Sequence, residues 1–344
     1  MLKYLSFFLL AFLLVACGGQ AARPEATEPA AETTQVVPAS PTPEPADVTH
    51  IRLPMGYIAD PQYAPFYVAL DKGYFRAEGF EVEFDYSFET DGVALVGAGE
   101  LPFAIVSGEQ VILGRAQKLP IVYVLEWFQR FPIAVISRQE ANITTPQDLV
   151  GRRVGLPGFF GASYVGYAGL LTANQISQDQ VNAEEIGFTQ VETLLSGQVD
   201  AVVGYANNEP LQLQTRGEAI NVLYVADYVD MVANGIITNE ETIANNPHKV
   251  QAFVRAILKG LAETLADPAE AYEISKKYVE GLDDSRLNVL EASVVLWQTD
   301  TLGATDPAAW ENTQEVLLEM GFLDAPLEDL SAAYTNEFVT AANQ

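Results

Sequence analysis

Aromatic and amide side chains follow the ends of predicted strands throughout this 344-residue sequence, and their chemistry suits a planar ligand. A flat ring stacks on an aromatic side chain with roughly 0.5–1.5 kcal/mol beyond burial. Amides, hydroxyls and carboxylates can then bind the donors and acceptors at the edge of the ring. The predicted ligand-binding residues are Tyr57, Tyr63, Phe88, Thr90, Ser107, Glu109, Trp127, Phe160, Ser163, Tyr164, Tyr205, Asn207, Asn208 and Glu209.

Several of these residues also fit a purely structural role, and the sequence leaves both interpretations open. Asn208 and Glu209 could simply be the polar start of a helix. Arg130 could bind an anionic ligand or pair with a carboxylate. Five aromatic residues fit the core as well as a ligand site: Tyr57, Trp127, Phe160, Tyr164 and Tyr205.

A glycine-rich loop at residues 155–163 leaves a predicted strand and opens a helix, an arrangement that often binds anions. It contains neither the Gly-Lys-Ser/Thr of a phosphate loop nor the G-x-G-x-x-G of a dinucleotide fold. Phe159 and Phe160 occupy its centre. We therefore expect this loop to contact an apolar ring rather than a phosphate.

Catalytic and metal-binding residues are scarce. Cys17 is the only cysteine, and His50 and His248 are the only histidines, so the sequence offers no His/Cys metal site and no Ser/His/Asp set. The 46 acidic and 18 basic residues give a net charge of −28. Nucleic acids and anionic membrane surfaces repel such a chain. We predict a protein that is not an enzyme and uses no metal or cofactor.

The N-terminal residues predict export and a lipid anchor. Lys3 precedes an apolar run from Tyr4 to Ala16, and Cys17 follows it. This pattern resembles a bacterial lipoprotein signal, with residues 1–16 as the signal peptide and Cys17 as the lipidated N-terminus. An uncut anchor helix is the alternative, although the run is short for a span of ~20 residues. Residues 17–47, rich in Pro, Ala and Glu, predict a disordered tether.

Strand and helix patterns alternate along the rest of the chain, and after Pro247 the pattern is helical. Such alternation is typical of an α/β fold with parallel-based sheets covered by helices. Helices are predicted at 64–72, 91–99 and 109–117. Strands are predicted at 51–55, 80–86, 103–106, 121–125, 133–137, 153–155, 185–188, 201–203 and 222–224.

Four motifs occur in the order found in one protein family. They are Lys72-Gly73-Tyr74-Phe75 with 78–82, Thr145-Pro146-Gln147-Asp148-Leu149 with 151–155, Gly197-Gln198-Val199-Asp200-Ala201, and Asn246-Pro247 with 250–253. Together they resemble the periplasmic substrate-binding proteins of the alkanesulfonate and thiamin-pyrimidine type. The resemblance implies a two-lobed type II periplasmic-binding-protein fold with two hinge crossovers. Lobe 1 would hold residues 48–134 and 235–344, and lobe 2 residues 135–234, with the ligand in the cleft between them.

Two segments, 126–132 and 205–210, resemble the pyrimidine- and flavin-binding branch of this family. The acidic, tethered form resembles the riboflavin-binding lipoproteins of ABC importers. The resemblance implies a monomer that captures riboflavin outside the cell, stays on the cell membrane through Cys17, and delivers the vitamin to an ABC permease. A thiamin pyrimidine precursor is the alternative ligand, followed by an alkanesulfonate. A role as a sensor or adhesin that uses the same cleft is a third alternative for the function.

An enzyme of the same fold is a further alternative. Fungal thiamin-pyrimidine synthases share this architecture, consume a histidine of their own and carry a cysteine-rich signature. That signature is absent here, since Cys17 is the only cysteine. Neither His50 nor His248 follows a predicted cleft strand. We therefore expect a binding protein rather than a synthase.

Overall fold

A computed structural model of the chain describes residues 48–343. The predicted signal peptide, the lipidation site Cys17 and the tether lie outside the described residues. The strands are β1 (Thr49–Gly56), β2 (Phe80–Phe88), β3 (Ala104–Ser107), β4 (Ile121–Glu126), β5 (Ile133–Arg138), β6 (Arg153–Leu156), β7 (Asn182–Glu185), β8 (Ala201–Tyr205), β9 (Ile220–Tyr224) and β10 (Asn234–Asn239).

Helices separate most of the strands and make up the C-terminal third. They are α1 (Ala64–Asp71), α2 (Tyr74–Ala77), α3 (Glu89–Gly97), α4 (Gly108–Ala116), α5 (Gly161–Ala173), α6 (Gln190–Leu195), α7 (Glu209–Thr215), α8 (Glu240–Asn245), α9 (Pro247–Ala266), α10 (Pro268–Ser275), α11 (Leu287–Trp297), α12 (Pro307–Glu319) and α13 (Glu337–Ala342). In residues 48–343, no helix combines the length and the apolar character that a membrane span requires.

The strands form three hydrogen-bonded groups in the described region. β1 pairs with β2 in parallel, and β10 lies between β3 and β4, antiparallel to both. The third group is a five-stranded sheet in the order β7-β6-β8-β5-β9. In this sheet β6 runs parallel to β7 and β8, whereas β5 runs antiparallel to β8 and β9.

The sheets are therefore parallel-based but mixed, with β5 and β10 antiparallel to their neighbours. A parallel pair requires a long crossover, usually a helix, between its strands. β5 instead follows β4 after the short loop 127–132, and β10 follows β9 with no α-helix between them. The chain thus passes directly from the β3-β10-β4 group into the five-stranded sheet at β5, and directly back at β10. Such direct connections permit antiparallel pairing. β10 was not among the predicted strands.

One predicted strand is wrong in position. The sequence suggested a strand at 185–188, but β7 ends at Glu185. Gly187 adopts a φ of +62°, and Phe188 is exposed to solvent. β7 itself is a mostly exposed edge strand with the polar sequence Asn-Ala-Glu-Glu, so it carries no apolar alternation that could reveal it.

The predicted helical C-terminal region is present, and its apolar positions are buried. On α9, Val250, Phe253, Ile257 and Leu261 face the core. Phe253 stacks on Phe103 with 4.0 Å between the ring centroids. The C-terminal helices thus pack onto the preceding elements rather than forming a separate body: α9 and α10 contact α1, α12 contacts α4 and α5, and α13 contacts β4.

Candidate ligand-binding site

Several predicted ligand residues meet where β1, β3, β4 and β8 end. The turn of residues 61–63 that follows β1 carries Tyr63, whose hydroxyl donates to the Met55 carbonyl at 2.8 Å. Tyr63 stacks on Trp127 with 5.2 Å between the rings. Trp127 comes directly after β4. The carboxyl ends of these strands therefore form the aromatic part of the candidate site.

Trp127 is 2 % exposed, because aromatic rings surround it. Phe66 meets its ring edge-on at 5.1 Å, and Phe128 and Trp297 lie at 4.7 and 5.7 Å. The indole N–H groups of Trp127 and Trp297 are buried and have no hydrogen-bond partner within residues 48–343. Trp127 is thus a core residue that also lies at the strand ends of the candidate site.

The predicted residues Ser107, Glu109 and Tyr205 form a polar network with Glu89 and Asn234, in which Glu89 and Tyr205 are half-buried and the others are buried. Ser107 at the end of β3 lies between two glutamates, with its Oγ 2.6 Å from Glu89 Oε2 and 2.5 Å from Glu109 Oε1. Asn234 at the start of β10 donates from Nδ2 to Glu89 Oε1 at 3.1 Å. The Tyr205 hydroxyl donates to Asn234 Oδ1 at 3.4 Å. This network links β3 to β8 through β10.

A glycine leaves space for the side chain of Glu89. Gly56 at the end of β1 has a φ of +79°, which favours glycine. A Cβ there would approach Glu89 Cγ to 2.7 Å. Burial raises the pKa of Glu89 to about 8, and the neighbouring Glu109 adds repulsion. Burial also raises the pKa of Glu109.

Glu209 at the start of α7 is buried beside Gly204. Its Oε2 accepts the backbone N–H of Tyr205 at 2.7 Å. A Cβ on Gly204 would lie 2.5 Å from the same oxygen, so glycine leaves space for the carboxyl group. Burial raises the pKa of Glu209 to about 7, although hydrogen bonds from the backbone oppose this shift. Asn208 is half-buried and bonds to Gln212.

Two contacts join loops that follow strands of the five-stranded sheet to residues of the predicted lobe 1. The Asn207 amide Nδ2 donates to Ser293 Oγ on α11 at 2.7 Å, and both residues are fully buried. The Asn207 Oδ1 has no hydrogen-bond partner in the described chain. Tyr57 after β1 contacts Phe188 after β7 at 5.9 Å. These contacts connect the predicted lobes directly.

The remaining predicted residues lie further out. Phe88 is 65 % and Phe160 56 % exposed, and Thr90 is exposed too. Tyr164 on α5 contacts Phe322 at 5.8 Å and donates from its hydroxyl to Gln178 Oε1. Ser163 on the same helix is half-buried. The side chains of these residues take no part in the hydrogen bonds of the strand-end cluster.

Arg130 has a partner in the structure. Its guanidinium forms an ion pair with Asp227 and lies over the Tyr224 ring, 5.6 Å from the centroid. Of the two alternatives for Arg130, the structure shows pairing with a carboxylate. Among the described residues, no group of three or more His, Cys, Asp or Glu side chains could hold a metal ion.

Sequence reasoning did not select four residues that the structure brings to the site: Glu89, Asp60, Asn234 and Arg286. Asp60 is 3 % exposed and pairs with Arg286 at 2.5 Å. Asp60 and Glu89 lie shortly after predicted strands, so their positions were visible in the sequence, although neither was selected as a ligand-binding residue. Asn234 and Arg286 carry no such local signal, because their position depends on chain folding over long distances.

The fold is that of the two-lobed periplasmic binding proteins. The sulphonate-binding protein SsuA from Escherichia coli superposes with a TM-score of 0.69 at 12% identity, covering 86% of this chain and 99% of that one. This likeness confirms the predicted type II fold class. The chain belongs to the NMT1/THI5-like family, whose model matches residues 60–271.

Named relatives divide into binding proteins and synthases. The riboflavin-binding protein RibY from Chloroflexus aurantiacus is 41% identical over 96% of this chain and 95% of its own. A formylaminopyrimidine-binding protein from Halalkalibacterium halodurans is 28% identical over 78% and 86%. A pyrimidine phosphate synthase from Aspergillus parasiticus is 24% identical over 82% and 85%. The higher identity to RibY confirms the prediction of a binding protein rather than an enzyme.

Proposed function

We propose that this chain is the extracytoplasmic solute-binding component of an ABC importer and that its solute is riboflavin. The 41% identity to RibY over nearly the whole chain carries the proposal. The geometry supports it, since aromatic rings and buried amides lie together at the strand ends. Riboflavin offers three fused rings for stacking and a row of hydrogen-bond donors and acceptors along one edge. The protein would bind and release riboflavin without changing it chemically.

In this proposal the ligand enters between lobe 1 (residues 48–134 and 235–344) and lobe 2 (residues 135–234). Tyr63 and Trp127 contribute ring faces from lobe 1, and Tyr205 contributes one from lobe 2. Asn207 and Ser107 bind the polar edge. Asn207 Oδ1 supports this role, because a buried amide oxygen without a partner is costly unless a ligand or water satisfies it. Ligand shifts the population towards closed lobes by as much as it prefers that state.

The outer residues belong to the same proposal. Phe88 and Phe160 are exposed, as residues at the mouth of a cleft would be. They would cover the ligand as the lobes close, which excludes water from the ring. The remaining members of the proposed shell are Tyr57, Thr90, Glu109, Ser163, Tyr164, Asn208 and Glu209.

The N-terminus supplies the location in this proposal. Residues 1–16 direct export and are removed, and Cys17 receives the lipid that holds the protein on the outer face of the cell membrane. The tether of residues 17–47 lets a monomeric binding domain reach an ABC permease in the same membrane. Semi-extended segments of this composition span about 3 Å per residue.

Quenching of riboflavin fluorescence tests the ligand directly. Purified residues 18–344 should quench riboflavin with one site per chain, because a flavin stacked on tyrosine or tryptophan loses its emission. An aminopyrimidine should compete only weakly. Unquenched riboflavin together with tight binding of an aminopyrimidine would assign the second candidate, which the 28% identity to the formylaminopyrimidine-binding protein favours.

A further inference from the structure

Two carboxyl groups, the buried Glu109 and the half-buried Glu89, share one hydroxyl at the base of the candidate site. Ser107 Oγ lies 2.6 Å from Glu89 Oε2 and 2.5 Å from Glu109 Oε1, both within hydrogen-bond distance. A serine hydroxyl carries a single proton and can donate to only one of them. The other short contact therefore requires a proton on a carboxyl group. Glu89 and Glu109, here called the glutamate pair, hold one proton between them.

Hydrogen bonds indicate which glutamate is protonated. Glu89 accepts from the backbone N–H of Ser107 at 3.2 Å and from the amide of Asn234 at 3.1 Å, which suits a carboxylate. Glu109 is 1 % exposed, and its Oε2 has no partner in the described part of the chain. An ionised oxygen in that position would be costly. The proton therefore belongs on Glu109, which donates to Ser107, which donates to Glu89.

The neighbouring elements supply phenols and a further carboxyl group. Tyr63 from the turn after β1 interacts electrostatically with Glu89, and Tyr123 from β4 and Tyr205 from β8 interact with both glutamates. Burial raises the pKa of all three phenols, so they are neutral at physiological pH. Glu126 lies beyond Tyr123, and burial raises its pKa to about 8. These surroundings favour the protonated pair over two ionised carboxylates.

The pair is also connected to β10 and, through it, to Tyr205 on β8. Asn234 opens β10, donates to Glu89 and accepts from Tyr205. Its backbone carbonyl accepts the N–H of Trp127 at 2.9 Å. Withdrawal of Tyr205 would open this network to water. Hydration of the pair would then return both carboxyl groups towards their ordinary pKa, near 4.3.

We propose that the glutamate pair holds one proton while the cleft is closed, and that closure on the ligand takes this proton up from solution. This inference rests on the proposed function, because it concerns the regulation of the same cleft. A carboxyl group whose pKa is raised in the closed state favours closure at low pH. That advantage is lost as the pH rises from the ordinary carboxyl range through the raised pKa of the buried pair, which then gives up its proton.

Calorimetric titration with riboflavin tests the proton directly. At about pH 7, two buffers with different heats of ionisation should reveal uptake of close to one proton per riboflavin bound. Between about pH 5.5 and pH 8 the Kd should rise by up to tenfold per pH unit, and above that range it should level off. Glu109→Gln places an amide where the proton is. In this variant the uptake and the pH slope should disappear, at whatever affinity it retains.

Glu100→Gln is the matched control, because Glu100 is exposed and precedes β3 on the far side from the pair. It should keep the wild-type uptake and slope. Wild-type binding without proton uptake would overturn the proposal. An unchanged slope in Glu109→Gln would also overturn it and assign the proton to another group, such as Glu209.

A variant that no longer binds riboflavin still decides the question. The pair favours the closed lobes at low pH in the free chain too, so the radius of gyration from small-angle X-ray scattering should rise from about pH 5 to pH 8 in the wild type, and Glu109→Gln should lack this change. Identical pH profiles for the two proteins would contradict the shared proton. Absence of riboflavin binding by the wild type at every pH would overturn the proposed ligand instead, and the scattering profiles would still test the proton.

Discussion

Trp127 occupies a position where packing and ligand binding place different demands on one side chain. Its ring is enclosed by Tyr63, Phe66, Phe128 and Trp297, so it stabilises the fold whatever the cleft contains. Phe160, by contrast, is more than half exposed and contributes little to the core. Substitutions at these two positions therefore separate a structural contribution from a contribution to binding.

We expect Trp127→Ala to lower the free energy of unfolding by about 3–5 kcal/mol, as truncation of a buried aromatic does. Phe160→Ala should change it by less than about 0.5 kcal/mol. Phe160→Ala should still weaken riboflavin binding about 2- to 10-fold, the value of one lost stacking contact. Urea unfolding and fluorescence titration measure the two effects. Unchanged affinity in Phe160→Ala would remove Phe160 from the site.

Asp60 is the second residue whose environment sets a clear expectation. It is buried, pairs with Arg286 and caps the turn of residues 61–63 by accepting the N–H of Gln62. Asp60→Asn should cost about 1–3 kcal/mol in unfolding free energy, because Arg286 loses its charged partner. Asp284→Asn is the control. The Asp284 carboxylate pairs with Lys276 on an exposed surface, so Asp284→Asn should change the free energy of unfolding by less than about 0.5 kcal/mol.

Among the secondary-structure elements, those with a clear local periodicity of apolar residues could be predicted from the sequence. The apolar runs of β1, β4 and β8 and the buried face of α9 were found within a few residues, because their burial is continuous along the chain. β7 was misplaced, since an exposed edge strand has no apolar alternation. β10 was missed because its six residues are buried by pairing with strands more than 100 positions away.

The position of β10 also explains why the contacts within the candidate site could not be predicted from the sequence. It brings Asn234 to Glu89 and separates β3 from β4, so the glutamate pair exists only once this strand is in register. The aromatic and amide candidates that follow strands could be predicted individually. Which of them would touch each other could not, because that depends on strand order.

Close packing along β10 gives a test at this scale. A Cβ at Gly235 would lie 2.1 Å from the Leu125 carbonyl oxygen and 2.1 Å from the Tyr123 hydroxyl. Gly235→Ala should destabilise the chain by about 3 kcal/mol or more, since a backbone atom cannot move aside easily. Gly92→Ala on α3 is the comparison. Its nearest neighbours are side-chain carbons at 3.0 and 3.2 Å, so the change should stay within about 1 kcal/mol.

At the scale of the whole molecule, the proposed function needs a domain that is both mobile between lobes and confined near a membrane. The charge of −28 opposes adsorption to anionic lipid, so attachment would have to come from a covalent anchor. Lipid chains contribute about 0.8 kcal/mol per buried CH₂ group, and stable attachment takes more than one chain.

Cys17→Ser tests this anchor in cells. The variant should move from the membrane fraction to the soluble extracytoplasmic fraction, because serine cannot carry a thioether-linked lipid. Incorporation of labelled palmitate should be lost at the same time. Ser40→Ala, within the predicted tether, should leave both unchanged. Membrane attachment that persists in Cys17→Ser would favour the uncut anchor helix.

The burial of tryptophan has an optical consequence. The chain contains three tryptophans, Trp127, Trp297 and Trp310, and all are enclosed in the interior. Their emission should therefore be blue-shifted, as expected for indoles shielded from water. An isoalloxazine held beside Trp127 and Trp297 would accept excitation energy from both, so the unlabelled protein would act as its own spectroscopic sensor of occupancy, readable in a stopped-flow instrument.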